Sequence, residues 1–291
     1  MAEFDDLKVA VRRRLEFIEF SLQWERRIGR KQLQQQFDIS PQQATVDLTT
    51  YIDLFPENMI YDPRQRSYIP TKKFKAQLGM GNAQEYLRRL EAVARGFRSL
   101  DEVWLHDLPQ HDVVSARTRS IDVRILSTVL LAIRTQQFLR TKYVSLSSET
   151  AHERRLYPTA LASDGHRWHV RGFDCDKERY SDFVISRLES VSLIENDFGL
   201  IPKDEAWRKQ VEVTFTTDPD LNDRQRASLE HEYQMKDGCF TIKIRQAMLF
   251  YYLRNYGFNP WAVKNGKMEN RSSFCLRIIN LDEVEKCLER R

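Results

Sequence analysis

Between Thr141 and Leu188 the chain is rich in hydrogen-bond donors. In a strand, alternate residues share a face. Along Arg167-Trp-His-Val-Arg171, the side chains of Arg167, His169 and Arg171 therefore share one face and those of Trp168 and Val170 the other. Along Thr141-Lys-Tyr-Val-Ser-Leu146, Tyr143 and Ser145 oppose Val144 and Leu146. Ser147, Ser148, Arg154, Arg155 and Arg187 add donors. A surplus of donors is what an anion requires, and guanidinium forks match phosphate oxygens. Tyr143, His169 and Phe183 could stack on a base. The same cations could instead be neutralised by Glu149, Glu153, Asp174 and Asp182, and residue types alone leave these two readings level. A metal site is not expected. His166 and His169 stand three apart on a strand, so they face opposite ways, with no Cys or acidic partner in pattern.

A second set of residues suits base recognition. Ser40-Pro41 is a helix start: Ser caps, and Pro tolerates the first helical position. The helix it opens carries Gln42, Gln43, Thr45, Val46 and Thr49 near its N-terminus. Gln can pair with adenine by two hydrogen bonds, and Thr can hydrogen-bond or touch a thymine methyl. Ser40 and the amides beside it suit a phosphate at the positive end of the helix. Arg30, Lys31, Arg64 and Arg66 are the further phosphate candidates, whereas Arg12, Arg13 and Arg14 read as a solvated helix face.

These side chains need elements to hold them. Apolar residues at three- and four-residue steps predict a helix over residues 7–27, followed by helices over 30–37 and 41–55. Residues 58–61 and 66–69 flank Asp62-Pro63 turn chemistry and predict a two-stranded hairpin. Three helices followed by a hairpin is the order of a winged helix-turn-helix, whose third helix enters the major groove. Residues 83–97 and 122–135 predict helices, with an irregular stretch over 105–120 between them. Residues 138–146, 156–162, 168–173 and 183–194 predict four strands of a small barrel or rolled sheet. Beyond Pro202, strands over 211–215, 239–244 and 274–279 alternate with helices over 221–232, 246–256 and 281–291. Helix 246–256 is apolar around much of its circumference, which calls for cover on more than one face and predicts a homodimer built on this last region.

Composition bounds the function. The chain has 291 residues, enough for two or three domains. Its hydrophobic content of 41% and charged content of 30% are those of a soluble globular protein rather than a disordered one. No run approaches the ~18 apolar residues of a membrane helix, and the acidic start shows no secretory signal. Four dispersed cysteines without Cys-x-x-Cys predict reduced thiols in a cytoplasmic protein. The net charge of +4 permits nucleic-acid binding without arguing for it. Nucleophile-elbow, phosphate-loop, zinc-protease and paired-carboxylate motifs are missing, so an enzyme is not expected, nor is a cofactor.

The middle region resembles a known family. Tyr143-Val-Ser-Leu-Ser-Ser148, Arg154-Arg-Leu-Tyr-Pro158, Arg167-Trp-His-Val170 and Asp182-Phe-Val-Ile-Ser-Arg-Leu188 are similar to the WYL domain in its Trp-His-Val variant. Ser40-Pro-Gln-Gln-Ala-Thr-Val-Asp-Leu48 with Tyr61-Asp-Pro63 resembles the winged helix of bacterial repressors beside phage-defence operons, of the BrxR/CapW type. Arg245-Gln-Ala-Met-Leu-Phe-Tyr-Tyr-Leu253 resembles their C-terminal extension. The resemblance implies an α+β chain: a winged helix-turn-helix (1–75), a helical linker (76–135), a Sm-like β-barrel WYL domain (136–200) and a small α/β dimerisation domain (208–291). It further implies a bacterial homodimer that binds an inverted-repeat double-stranded operator and is released by a nucleotide or nucleic-acid-like ligand. The family's pocket pattern falls on Tyr143, Ser147, Arg154, His169, Phe183 and Arg187. Ser181 stands where the family commonly has Arg, and Arg179 is the candidate replacement. The competing expectation is an accessory protein that binds single-stranded nucleic acid without operator specificity.

Overall fold

The computed structural model describes residues 4, 7–106, 108–114, 119–146, 151–195, 198–264 and 267–288. The chain is α+β and divides into two compact units, Met1–Ala116 and Arg117–Arg291. None of the described helices is long and apolar enough to cross a membrane.

In the first unit, helix α1 (Val9–Phe20) buries Leu15, Phe17, Ile18 and Phe20, then widens into a π-turn at Ser21–Glu25 that ends at Arg26, in left-handed backbone. Helix α2 (Arg30–Phe37) is followed by left-handed Asp38, which turns the chain into helix α3 (Pro41–Leu54). The Ser40 hydroxyl accepts the Gln43 amide at 3.1 Å, the cap expected from the sequence. Strands β1 (Met59–Asp62) and β2 (Ser67–Pro70) form an antiparallel hairpin. Ile28 exchanges two backbone hydrogen bonds with Tyr68, at 2.9 and 2.8 Å, and so adds a third short strand segment. Leu33, Ala44, Leu48, Tyr51 and Met59 close the core between helices and hairpin.

The stretch read as one linker is shared between the units. Glu19, 0% exposed, accepts the amides of Gln77 and Leu78 at 2.8 and 2.7 Å. Trp24 donates to the Met80 carbonyl at 2.8 Å. Helices α4 (Ala83–Ala94) and α5 (Leu100–Val103) then pack Tyr86, Leu90, Val103 and Trp104 into the same core, with Arg89 4.9 Å from both the Phe20 and Trp104 rings. Helix α6 (Val123–Thr135) belongs to the second unit, where Val129 and Ala132 pack on Leu139, Leu156 and Leu188.

The sheet beneath α6 has five antiparallel strands rather than four: β3 (Phe138–Val144), β4 (Ala151–Ser163), β5 (Trp168–Asp174), β6 (Arg179–Val184) and β7 (Leu188–Ile194), in the order β6-β5-β4-β3-β7. The single strand expected over 183–194 is broken by a 3₁₀ turn at Ile185–Arg187, which sends its halves to opposite edges. No ladder among the described residues joins β6 to β7, so the sheet is open and the closed barrel expected from the resemblance is not found. At the β4 bulge Gly172 lies so near the Tyr157 carbonyl that an added Cβ would meet its oxygen at 2.8 Å. Phe138, Tyr157 and Phe173 on the face away from α6 pack against Phe198 and Ile201.

A short helix, α7 (Glu205–Arg208), leads into a three-stranded sheet of β8 (Gln210–Thr217), β9 (Cys239–Arg245) and, after the small β10–β11 hairpin (Val263–Lys264 and Lys267–Met268), β12 (Leu276–Ile278), ordered β12-β8-β9. Helices α8 (Asp223–Glu232), α9 (Leu249–Asn255) and α10 (Leu281–Cys287) accompany it. Leu249 and Leu253 enter this core, while Tyr251 turns to the five-stranded sheet, hydrogen-bonding Asp182 at 3.0 Å. The second apolar face of this helix is thus covered within the chain, and its apolar circumference does not by itself call for a partner.

Candidate functional site

Helix α3 exposes Gln42, Thr45, Val46 and Thr49, with Val46 56% exposed, and buries Ala44, Asp47, Leu48 and Tyr51. Helical spacing puts the exposed set on one face, a polar surface interrupted by one branched apolar side chain. Thr45 also returns its hydroxyl to the Pro41 carbonyl at 3.0 Å. Ser40, Arg30 and Lys31 are exposed, as are Arg64 and Arg66 in the hairpin turn. Asp62 accepts the Arg64 amide at 2.8 Å and shapes that turn, and Arg66 takes left-handed backbone.

Gln43 is half-buried and donates its side-chain amide to Asp47 at 3.0 Å. Asp47, 1% exposed, is gripped by Arg14 at 2.6 and 3.0 Å. Arg14 is therefore not part of a solvated face. Its partner is 33 residues away, so local spacing could not reveal the contact. Nearby, burial among the core residues pushes the Glu19 carboxyl above its ordinary value, and the three backbone amides it accepts offset this only in part.

In the second unit a cleft of about 610 Å³ opens at edge strand β6. It gathers Tyr143, Ser145, Arg154, Arg171 and Phe183 from the expected set, together with Arg179, Lys177, Tyr180 and Ser181. Tyr143 and Phe183 meet edge to face, their centroids 5.2 Å apart. Arg154 is half-buried, and Lys177 and Arg179 are exposed. Arg179 lines the cleft alongside Ser181, so the cation missing at 181 has a neighbour that faces the same space. Lys177 was not singled out from the sequence; its place beside Arg179, on the Asp174–Arg179 turn, was the available signal.

Other expected residues lie elsewhere. Arg171, 1% exposed, is neutralised by Asp204 at 2.6 and 2.9 Å and by Asp182 at 3.2 Å. For this residue the ion-pair alternative holds. Asp204 lies after the last strand of the sheet and caps α7 by accepting the Trp207 amide at 3.0 Å, a position that alternation within the strands could not flag. His169, 3% exposed, does not line the cleft but packs against the Tyr251 ring at 5.3 Å. Its neighbour Asp164 is raised by burial, but the amides of His166 and Arg167 and the Arg167 guanidinium outweigh this and hold the carboxyl below its ordinary value. Arg187 is half-buried on the 3₁₀ turn and does not line the cleft. Ser147 and Ser148 lie outside the described residues. Tyr180 donates to the Pro202 carbonyl at 2.7 Å, and its phenol is pushed up to about 12 by burial and by the Asp204 charge.

A winged helix-turn-helix, a WYL domain and a small C-terminal α/β domain on one chain define a transcriptional regulator of modular build. Three family descriptions match in that order: the BrxR transcriptional regulator winged helix-turn-helix domain over residues 10–92, the WYL domain over 124–193, and the BrxR transcriptional regulator C-terminal dimerization domain over 210–284. The chain belongs to the family of the DNA-binding transcriptional repressor CapW. It is 37% identical to that protein of Stenotrophomonas maltophilia over 257 residues, covering 87% of this chain and 85% of the relative. Against the CapW of Pseudomonas aeruginosa it is 34% identical over 247 residues, covering 85% and 83%, and against that of Escherichia coli 33% over 241 residues, covering 83% and 81%.

Proposed function

We propose that this protein is a homodimeric repressor that binds an inverted-repeat operator through α3 and the β1–β2 wing. We further propose that an anionic ligand, a nucleotide or nucleic-acid-like molecule, releases it from the operator by binding in the cleft at β6. The observation that carries the DNA reading is the exposed face of Gln42, Thr45, Val46 and Thr49, flanked by exposed Arg30, Lys31, Arg64 and Arg66, in a chain of the CapW family. Side chains at a helix N-terminus reach base edges while flanking cations hold the phosphates. Support for the ligand class comes from Arg154, Lys177 and Arg179, which make no ion pair among the described residues and share the cleft with the Tyr143 and Phe183 rings; of the acids that also line it, Asp182 and Asp204 are taken up by Arg171, and Asp174 and Glu205 remain. The resemblance to repressors beside phage-defence operons supports such an operon as the regulated target.

The test is a gel shift on the DNA immediately upstream of the protein's own gene at moderate salt. Binding that survives competitor DNA and follows one sequence supports the operator reading. Binding without sequence preference, or to single strands alone, refutes it and favours the accessory role.

A further inference from the structure

We propose that the Arg14–Asp47 ion pair is a positioning device that fixes the orientation of the Gln43 amide and thereby sets which base Gln43 accepts. This rests on the reading of α3 as the helix that enters the major groove.

A glutamine amide has two ends of nearly equal size, a carbonyl that accepts and an NH₂ that donates. In water the group turns freely, and a free Gln can offer either end to a base. Gln43 is not free in this way. Four residues further along the same helix face, Asp47 takes one of its N–H groups at 3.0 Å. An ionised carboxylate only accepts, so turning the amide over would set oxygen against oxygen and forfeit a charge-assisted hydrogen bond. Asp47 cannot swing away to relieve that clash. It is 1% exposed, and its two oxygens are held by the Arg14 Nε at 2.6 Å and Nη2 at 3.0 Å. Arg14 is itself only 11% exposed and rises from α1, so the restraint is anchored in the domain core and not in the flexible surface.

The consequence follows from the major-groove edges of the bases. Adenine shows a donor at N6 beside an acceptor at N7, and cytosine shows a donor at N4. Guanine shows two acceptors, and thymine shows an acceptor with a methyl group. With its nitrogen drawn to Asp47, Gln43 keeps Oε1 as an acceptor with one N–H beside it. That pattern fits adenine, and its acceptor fits cytosine. Guanine fits less well: the one free N–H can pair with only one of its two acceptors, and Oε1 is set against the other. A residue of the first helix thus sharpens base choice without touching DNA.

The experiment is equilibrium binding of the purified full chain to an operator series in which each base pair is changed in turn. Gln43→Ala first identifies the base pair that Gln43 reads, as the one where discrimination disappears. There the wild type is expected to reject guanine by roughly 5- to 100-fold, the range of one good base contact. Asp47→Asn keeps the side-chain shape but offers both a donor and an acceptor, so the amide can settle either way. Rejection of guanine at that pair should fall by more than half on a logarithmic scale, with preferences elsewhere and salt dependence unchanged. If Asp47→Asn does not fold, the double variant Arg14→Met with Asp47→Leu carries the test, since apolar residues of similar volume often replace a buried ion pair without loss of stability. Unchanged guanine rejection in the folded variant overturns the proposal. So does a uniform loss of affinity with every preference kept, which would mark the pair as structural. If Gln43→Ala alters no preference anywhere in the series, the placement of the recognition helix fails and the proposal falls with it.

Discussion

Arg171 and Asp204 form a two-pronged ion pair, Nε to Oδ2 at 2.6 Å and Nη2 to Oδ1 at 2.9 Å, between the third strand of the WYL sheet and the segment that leads into the C-terminal domain. Both groups are buried, and removing Asp204 takes away the two shorter of Arg171's carboxylate contacts and leaves it Asp182 at 3.2 Å. Asp204→Ala is expected to destabilise the second unit by less than the ~3–5 kcal/mol of a buried charge left with no partner, since Asp182 still faces Arg171. Urea unfolding measures this. An unchanged midpoint in Asp204→Ala would show that the pair holds nothing together.

Arg154 lines the cleft and is spared from such pairing among the described residues, so its replacement tests sensing and not stability. Arg154→Ala should melt like the wild type and repress normally. Losing a charged hydrogen-bond donor should weaken anion binding by about 1.5–3 kcal/mol. In a reporter fused to the protein's own promoter, phage challenge should then fail to induce. Normal induction would remove the cleft from the sensing mechanism and leave the DNA reading intact.

On the DNA surface two kinds of contact should separate. Arg66→Ala is expected to weaken all sequences alike and to lower the slope of log affinity against log salt by about one phosphate contact. Gln42→Ala should cost about 1–3 kcal/mol at one base pair and leave that slope unchanged. Fluorescence anisotropy at three salt concentrations distinguishes them, and a Gln42→Ala loss spread evenly over all sequences would refute base contact.

Self-association should not depend on the packed face of α9. Tyr251 is buried against the chain's own His169 and Asp182, whereas Tyr252, Trp261, Phe274 and Ile279 remain exposed in the C-terminal domain. Sedimentation should show a dimer at micromolar concentration for the wild type and for Tyr251→Ala, although the latter unfolds more easily. A wild-type monomer with full operator affinity would contradict the dimeric repressor.

Glu19 gives the first unit a pH dependence whose sign is fixed. Burial raises its folded carboxyl above the ordinary value of 4.5, so the folded state holds the proton more tightly than the unfolded chain. Its contribution to stability therefore grows as pH falls through the raised value and is complete only below the ordinary one. Glutamine cannot titrate. The difference in melting temperature between wild type and Glu19→Gln should shift in favour of the wild type on acidification from pH 7 into that window. A constant difference would show that Glu19 does not bind the proton on folding.

The order of elements was legible in the sequence because it rests on local signals. Ser40-Pro41 started α3 where capping chemistry required, Asp62-Pro63 turned the wing, and alternation over 211–215 marked the middle of the strand Gln210–Thr217. Locally written boundaries were also where it misled. The stretch 183–194 carries no Gly or Pro, yet it is cut at Ile185–Arg187 because its halves pair with different neighbours, and pairing is a property of the sheet.

Residue chemistry likewise determined that donors and cations would gather in the middle domain, but not which of them would be spent on the protein itself. Arg154 and Arg171 are the same residue type on adjacent strands. Arg171 is consumed by Asp204, which arrives from beyond the sheet, while Arg154 lines the cleft and makes no ion pair among the described residues. Arg14 reads as surface until Asp47 comes to meet it across 33 residues, and His169 reads as a pocket group until Tyr251 covers it. Alternation and capping act between near neighbours and can be read along the chain. Whether a charge is neutralised depends on what folding brings within about 4 Å of it, and only the tertiary structure decides that.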